Sequence, residues 1–241
     1  MRALGIIKAR AGSKRLPRKN LRTLNGHPLV AYMCRAAMAS SLDRVIVTSE
    51  DDEIRQTAIQ YGVEAPFKRP QALAGDFARN EDILNHALDW VHADEKKPYD
   101  IVVMLQPTTP YVLPETIDAC IAGVASGAAC CFSARPVREP PEWMFRINAE
   151  GHAVSATLPD FDDGGVHTQM LRETFFPTGA AYAISIDAFH AQDRIYARPL
   201  KVALMDAARS VDIDDELDFI MAETVGRQFG YEIIPTVRAQ S

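Results

Sequence analysis

"ALGIIKARAGSKRLPRKNL", Ala3 to Leu21, starts as an apolar run and turns within a few residues into a glycine-containing loop crowded with cations. The first part has the continuous apolar character of a strand covered on both faces. From Lys8 onward come Lys8, Arg10, Lys14, Arg15, Arg18, Lys19 and Arg22, with no acidic residue among them. The chain as a whole is acidic, with 26 Lys plus Arg against 32 Asp plus Glu and a net charge of −6. That balance argues against nucleic-acid or membrane-surface binding through bulk charge. A local concentration of cations on such a chain marks a local anion site.

The rest of the sequence repeats the opening rhythm. Strand patterns are expected near Leu4 to Ala9, Arg44 to Thr48, Ile101 to Leu105, Ala129 to Ala134 and Ala180 to Ser185. Helical patterns lie between them at Leu29 to Ala39, Asp52 to Tyr61, Glu81 to Val91 and Pro114 to Ala125. Runs that are apolar throughout, such as "IVVML", suit a mostly parallel sheet with helices on both faces, so the expected class is doubly wound α/β. With 241 residues and 47% hydrophobic content, the chain can form one such domain spanning 1–241. The rhythm fails between Arg135 and Phe176, where prolines, glycines and acids gather and a turn is expected at Asn148 to Gly151. With its own apolar residues, Trp143, Met144, Phe145 and Val154, this stretch reads as an inserted subdomain or an oligomer contact. Beyond it, "SVDIDDELDFIMAETVGRQFG" reads as a short strand over Val211 to Asp214 running into a terminal helix.

The chain starts directly on a strand pattern, without the apolar core and cleavage site of a secretory signal, which sets the expectation of a cytoplasmic protein. The longest weakly polar run, Ala119 to Ala134, is interrupted by Gly123, Ser126 and Gly127. It falls short of the ~20 apolar residues a membrane span needs. Cys34, Cys120, Cys130 and Cys131 lack paired metal spacing and read as buried reduced thiols.

In a doubly wound sheet ligands sit beyond the C-terminal ends of the strands, and the loop after the first strand commonly receives phosphate. Gly12 lets backbone N–H groups approach an anion, while Arg10, Lys14 and Lys19 can neutralise a polyphosphate. The loop is neither a Walker A motif nor G-x-G-x-x-G. Lys8, Arg15 and Arg18 read as solvent-exposed or oligomer-contacting. Near the other end of the chain Asp212 and Asp214 stand two apart, so in an extended segment both carboxylates face one side. Two hard oxygen ligands suit Mg²⁺. Helix capping by Asp214 or Asp215 is the alternative, and both hold if Asp212 serves metal while Asp215 caps. A phosphate loop with a carboxylate pair implies a nucleoside triphosphate, with hydrolysis, kinase chemistry and nucleotidyl transfer all open.

Five motifs, "ARAGSKRLPRKN" (Ala9 to Asn20), "RPQALAGD" (Arg69 to Asp76), "LQPTTP" (Leu105 to Pro110), "TGAAY" (Thr178 to Tyr182) and "DIDDELD" (Asp212 to Asp218), occur in an order that resembles the acylneuraminate cytidylyltransferases. The first and last are the specific ones. The resemblance implies a nucleotidyltransferase-type fold and Mg²⁺-dependent transfer of CMP from CTP to the anomeric hydroxyl of a sialic-acid-like nonulosonic acid. It implies that Arg10 and Lys19 contact the triphosphate and stabilise its charge, within a nucleotide-binding loop of Ala9, Ala11, Gly12, Ser13, Lys14 and Asn20. Arg69 and Asn80 fall where the family holds cytosine and ribose, although the serine common at the second position is absent. Gln106, Gln169, Thr178 and Gly179 match the sugar side, and Asp212 and Asp214 the metal, with Asp212 also aiding proton removal. The sugar side departs from the family. Thr168 stands where many relatives have an arginine, and Phe176 to Gly179 replace an Arg-x-Asn-Gly pattern, which leaves neuraminic, legionaminic and pseudaminic acids open. The resemblance also implies that an insertion at 139–176 exchanges with a partner chain in a homodimer, sharing residues with its sugar site. Activation of an eight-carbon ulosonic acid and a catalytically silent nucleotide binder are the competing readings.

Overall fold

The computed structural model describes residues 1–157 and 172–235. The chain divides into two compact units, one of Met1–Ala134 with Pro177–Ser241 and one of Arg135–Phe176. In chain order the strands are β1 (Ala3–Lys8), β2 (Thr23–Leu24), β3 (His27–Pro28), β4 (Arg44–Thr48), β5 (Ile101–Leu105), β6 (Cys130–Pro136), β7 (Phe145–Ile147), β8 (Ala153–Ser155), β9 (Phe175–Ser185) and β10 (Leu200–Leu204). The helices are α1 (Leu29–Ala39), α2 (Asp52–Gln60), α3 (Asn80–Asp94), α4 (Pro114–Ala125), α5 (Ile186–Gln192) and α6 (Glu216–Phe229).

Six strands form the sheet of the larger unit in the order β10-β6-β9-β5-β1-β4. β1 runs parallel to both neighbours, β10 runs parallel to β6, and β9 lies antiparallel to β5. All five residues of β5 are buried because both faces are covered. Val103 and Leu105 pack into one core with α1, α2 and α4, while Val102 and Met104 pack into another with α3 and Phe189 of α5. The period-2 geometry of the strand thus feeds two hydrophobic layers. After β1 the chain crosses by α1 to β4 on one side, then by α3 on the opposite face to β5 on the other side. That reversal opens a crevice beyond the C-terminal ends of β1 and β5, where doubly wound sheets bind ligands.

Two elements depart from the sequence pattern. Val211 to Asp214 is not a strand. The Ile213 N–H donates to the Thr108 carbonyl at 2.8 Å and the Ile213 carbonyl accepts from Lys19 Nζ, so its backbone groups are spent on neighbouring loops and not on a ladder. β9 begins at Phe175, five residues before the expected start at Ala180. The expected terminal helix does form, opened by a capping box in which Asp215 accepts from the Asp218 N–H and Asp218 from the Asp215 N–H.

In the smaller unit, β7 and β8 form an antiparallel hairpin across a turn where Asn148 Oδ1 accepts from the Glu150 and His152 N–H groups. Gly151 adopts φ 83° in that turn, a backbone state that favours glycine. Trp143, Met144, Phe145, Ile147 and Val154 are all exposed. All four cysteines are free and buried. Among the described residues, no helix is long and apolar enough to cross a membrane.

Candidate active site

The loop after β1 is held from three sides. Leu16 is buried with Ile213 and Phe219, which anchors the loop to the segment before α6. Asn20 Nδ2 donates to the Arg10 carbonyl at 2.8 Å, closing the loop on itself. The Ala11 N–H donates to Glu50 Oε1 at 2.8 Å, two residues beyond β4. The other oxygen of Glu50 accepts from Arg69 Nη2 at 2.6 Å, and the same nitrogen donates to the Ala9 carbonyl at 3.0 Å. This ion pair is fully enclosed, with side-chain exposures of 1% for Arg69 and 8% for Glu50. A buried pair of this kind is costly to break, because either partner alone is a stranded charge.

The seven cations that look unopposed in sequence are mostly matched in space. Asp76 lies 2.9 Å from Arg10 and 2.5 Å from Lys14. Asp214 lies 2.6 Å from Arg15 and 3.2 Å from Lys19. Arg18 pairs with Glu53 and Arg22 with Glu216. The cations therefore hold the Asp76 carboxyl below its ordinary range. Burial pushes Asp214 upward, yet Lys19 and Arg15 bring it to a net position below the carboxylate norm. Asp212 goes the other way. It is solvent-exposed as a residue, but burial of its carboxyl and repulsion from Asp214 raise its pKa against the pull of a Thr108 hydrogen bond and of Lys19. Asp215 is spent on the helix cap, while Asp212 and Asp214 stand on either side of buried Ile213.

These elements enclose a cleft of about 350 Å³. Arg10, Ser13, Lys19 and Asn20 reach it from the first loop, together with Arg69, Asn80, Gln106 after the end of β5, and Asp214 from the segment before α6, whereas Asp212 is not among the residues that line it. Lys8 lines it as well, so its expected place in solvent or at an oligomer contact is corrected. The strand ends on Lys8 at the crevice, and the amine turns inward to Asn80. Arg15 and Arg18 are exposed, as their reading required, although Arg15 reaches Asp214. Two polar atoms in the cleft residues, Asn20 Oδ1 and Arg69 Nε, are buried with no hydrogen-bond partner among the described residues. Such atoms are costly unless a ligand satisfies them.

The other expected residues are placed differently. Ala9 is buried in the core beside β1, and Ala11 is tied to Glu50. A Cβ at Gly12 would meet no protein atom within 4 Å, so protein packing does not demand glycine there. Lys14 lies outside the cleft lining, 83% exposed on Asp76. Thr178 is buried with its hydroxyl donating to Ser133 Oγ at 2.7 Å, Gly179 adopts φ 80°, and neither lines the cleft. Gln169 and Thr168 lie outside the described residues. Sequence reasoning missed Lys8, Glu50 and Asp76 as site residues. The available signal was a lysine closing an apolar strand, and acids just past strand β4 and inside the "LAGD" turn.

A family model described as cytidylyltransferase matches residues 4–143. The chain is 31% identical over 227 residues to a CMP-N,N'-diacetyllegionaminic acid synthase of Legionella pneumophila, covering 92% of this chain and 95% of that protein. It is 28% identical to a pseudaminic acid cytidylyltransferase of Campylobacter jejuni, with 92% of this chain and 95% of that protein covered. The fold matches a CMP:2-keto-3-deoxy-manno-octonic acid synthetase solved with CTP at a TM-score of 0.68 and 18% identity, over 95% of this chain and 100% of the other.

Proposed function

Because the chain belongs to the cytidylyltransferase family, we propose that it transfers CMP from CTP to the anomeric hydroxyl of a sialic-acid-like nonulosonic acid, with pyrophosphate as the leaving group. The observation that carries this reading is the meeting of Arg10 and Lys19 of the cationic loop with Asp214 of the pre-α6 segment in one cleft, where Lys19 pairs with Asp214. A polyphosphate needs the cations and its metal needs the carboxylates, so their separation on the molecule would have excluded the chemistry.

In this reading Arg10 and Lys19 bind the triphosphate and stabilise the charge that develops as the sugar oxygen attacks the α-phosphorus. The bond from that phosphorus to the bridging oxygen breaks, and the electron pair leaves with pyrophosphate. Ser13 and Asn20 line the nucleotide side, Gln106 the side open to the sugar, and Asp212 accepts the proton of the attacking hydroxyl. Asp212 and Asp214 fit Mg²⁺. They offer two hard oxygen donors, and among the described residues no larger cluster of acidic, His or Cys ligands gathers, which suits an ion that completes its shell with phosphate and water. Bound there, the ion supplies charge neutralisation and orientation of the phosphate oxygens.

The homodimer belongs to the same proposal, supported by the exposed apolar residues of the smaller unit, with Ile147 79% and Phe145 52% accessible. A CTP-consuming synthesis also suits a cytoplasmic protein. The test is pyrophosphate release from CTP with Mg²⁺ and a panel of neuraminic, legionaminic, pseudaminic and eight-carbon ulosonic acids. Release with a nine-carbon acid supports the proposal and names the substrate. Preference for the eight-carbon acid, or no release with any, overturns it.

A further inference from the structure

β1 is apolar until its last residue, Lys8, whose side chain is half-buried in the cleft. Its Nζ donates to Asn80 Oδ1 at 2.5 Å. Among the described residues Lys8 forms no ion pair, whereas Arg10, Lys14, Arg15 and Lys19 in the neighbouring loop each hold a carboxylate. Burial, together with repulsion from Arg69 and Arg10, pulls the Lys8 ammonium down to about 8, against a smaller counter-pull from Glu81. The sequence places an uncompensated cation here, and packing alone gives no reason for it.

The chemistry of the contact fixes its orientation. An ammonium group has three donors and no acceptor, so the atom of Asn80 that faces it is the oxygen. The Asn80 amide nitrogen is then turned away from Lys8 and is free to donate. Close by, Arg69 has committed Nη2 to Glu50 and the Ala9 carbonyl, and its Nε is buried without a partner. This end of the cleft therefore presents donors, flanked by the apolar side chains of Leu73 and Ile83. A flat ring with an acceptor edge fits such a surface. Cytosine carries adjacent acceptors at O2 and N3, whereas uracil carries a donor at N3 that would face another donor.

We infer that Lys8 is a base-reading residue: it locks the Asn80 carboxamide with nitrogen toward the ligand, and the two side chains together select the O2 and N3 edge of cytosine. The inference rests on the cytidylyl reading above and adds a residue to it. It differs from the alternative that Lys8 is one more phosphate contact, which would be indifferent to the base.

The test measures binding of CTP, UTP and inorganic tripolyphosphate to the full chain by calorimetry. Lys8→Met nearly keeps the length of the side chain and replaces a half-buried charge that has no ion pair among the described residues with an apolar group, so the fold should be retained, as thermal unfolding checks. Loss of a charged hydrogen bond is expected to weaken CTP by roughly tenfold to a hundredfold, with UTP changed little and tripolyphosphate unchanged. Asn80→Asp, which gives Lys8 a carboxylate and removes the amide donor, should likewise erase the preference for CTP over UTP. Equal weakening of all three ligands, or an unchanged ratio of CTP to UTP in both variants, overturns the inference while leaving the cytidylyl reading intact. A wild-type chain that binds tripolyphosphate but does not prefer CTP to UTP overturns both.

Discussion

The loop after β1 and the last residue of β1 handle positive charge in opposite ways. In the loop Arg10 and Lys14 share Asp76, while Arg15 and Lys19 share Asp214. Lys8, among the described residues, has only the neutral oxygen of Asn80. In the proposed function the contrast separates two tasks. Cations meant for a mobile polyanion can be kept in place by carboxylates that the ligand or a metal ion then displaces, at a modest cost because most of these pairs are exposed. A donor meant to read a neutral base needs a fixed direction more than a counter-charge, and the Asn80 oxygen supplies it. The enclosed Glu50–Arg69 pair ties the loop backbone at Ala9 and Ala11 to Arg69.

The largest break in this picture should come from Asp212. Asp212→Ala is expected to lower pyrophosphate release by at least about a hundredfold to a thousandfold while leaving thermal unfolding nearly unchanged, and near-normal turnover would remove the residue from the chemistry. Next is the enclosed Glu50–Arg69 pair. Glu50→Gln keeps an acceptor for the Ala11 N–H but strands Arg69, and urea unfolding should show a loss of about 3 kcal/mol. Glu53→Gln, which touches only the exposed pair with Arg18, should cost no more than about 1 kcal/mol. If the two variants were equally stable, the distinction between enclosed and exposed pairs would fail.

A smaller effect of opposite sign belongs to Asp76. Because its carboxylate occupies Arg10 and Lys14, Asp76→Asn should tighten tripolyphosphate and CTP binding by a few-fold, by analogy with the modest worth of exposed pairs. Weaker binding would mean that Asp76 helps to hold the ligand.

The smallest signal is a pH slope. The Lys8 ammonium sits at about 8 in the folded protein against an ordinary 10.5, with Arg69, Arg10 and Glu81 as the charged groups around it. Between those values the unfolded chain keeps a proton that the folded chain has released, so this group makes stability rise with pH across that window. Relative to wild type, Lys8→Met should therefore gain most near pH 7 and lose that advantage toward pH 10. Urea midpoints at the two pH values measure this, and a constant difference would show that Lys8 is not desolvated.

Much of the scaffold was legible because its signals are local. β1, β4 and β5 stand out as apolar runs, and α1, α2 and α4 as helical periods between them, since burial on both faces leaves its mark on consecutive residues. β10 was not anticipated: Leu200, Val202 and Leu204 are exposed on an edge strand, so their pattern does not report a core. At the site, the basic loop and the Asp212–Asp214 spacing were visible for the same local reason. The partners were not. Lys8 meets Asn80 across 72 positions, Ala11 meets Glu50 across 39, and Lys19 meets Asp214 across 195. Only the crossing of the chain on either side of β1 brings these groups together. The strand expected at Val211 to Asp214 failed because tertiary hydrogen bonds to Thr108 and Lys19 took the backbone groups that a ladder would have used.

The most direct measurement is a crystal structure with CTP and Mg²⁺. The account requires the triphosphate on Arg10 and Lys19 with Asp76 displaced, the ion on Asp212 and Asp214, and the cytosine edge against Lys8 and Asn80. A nucleotide lying the other way round, with its base beside the carboxylates and its phosphates on Lys8, would contradict it.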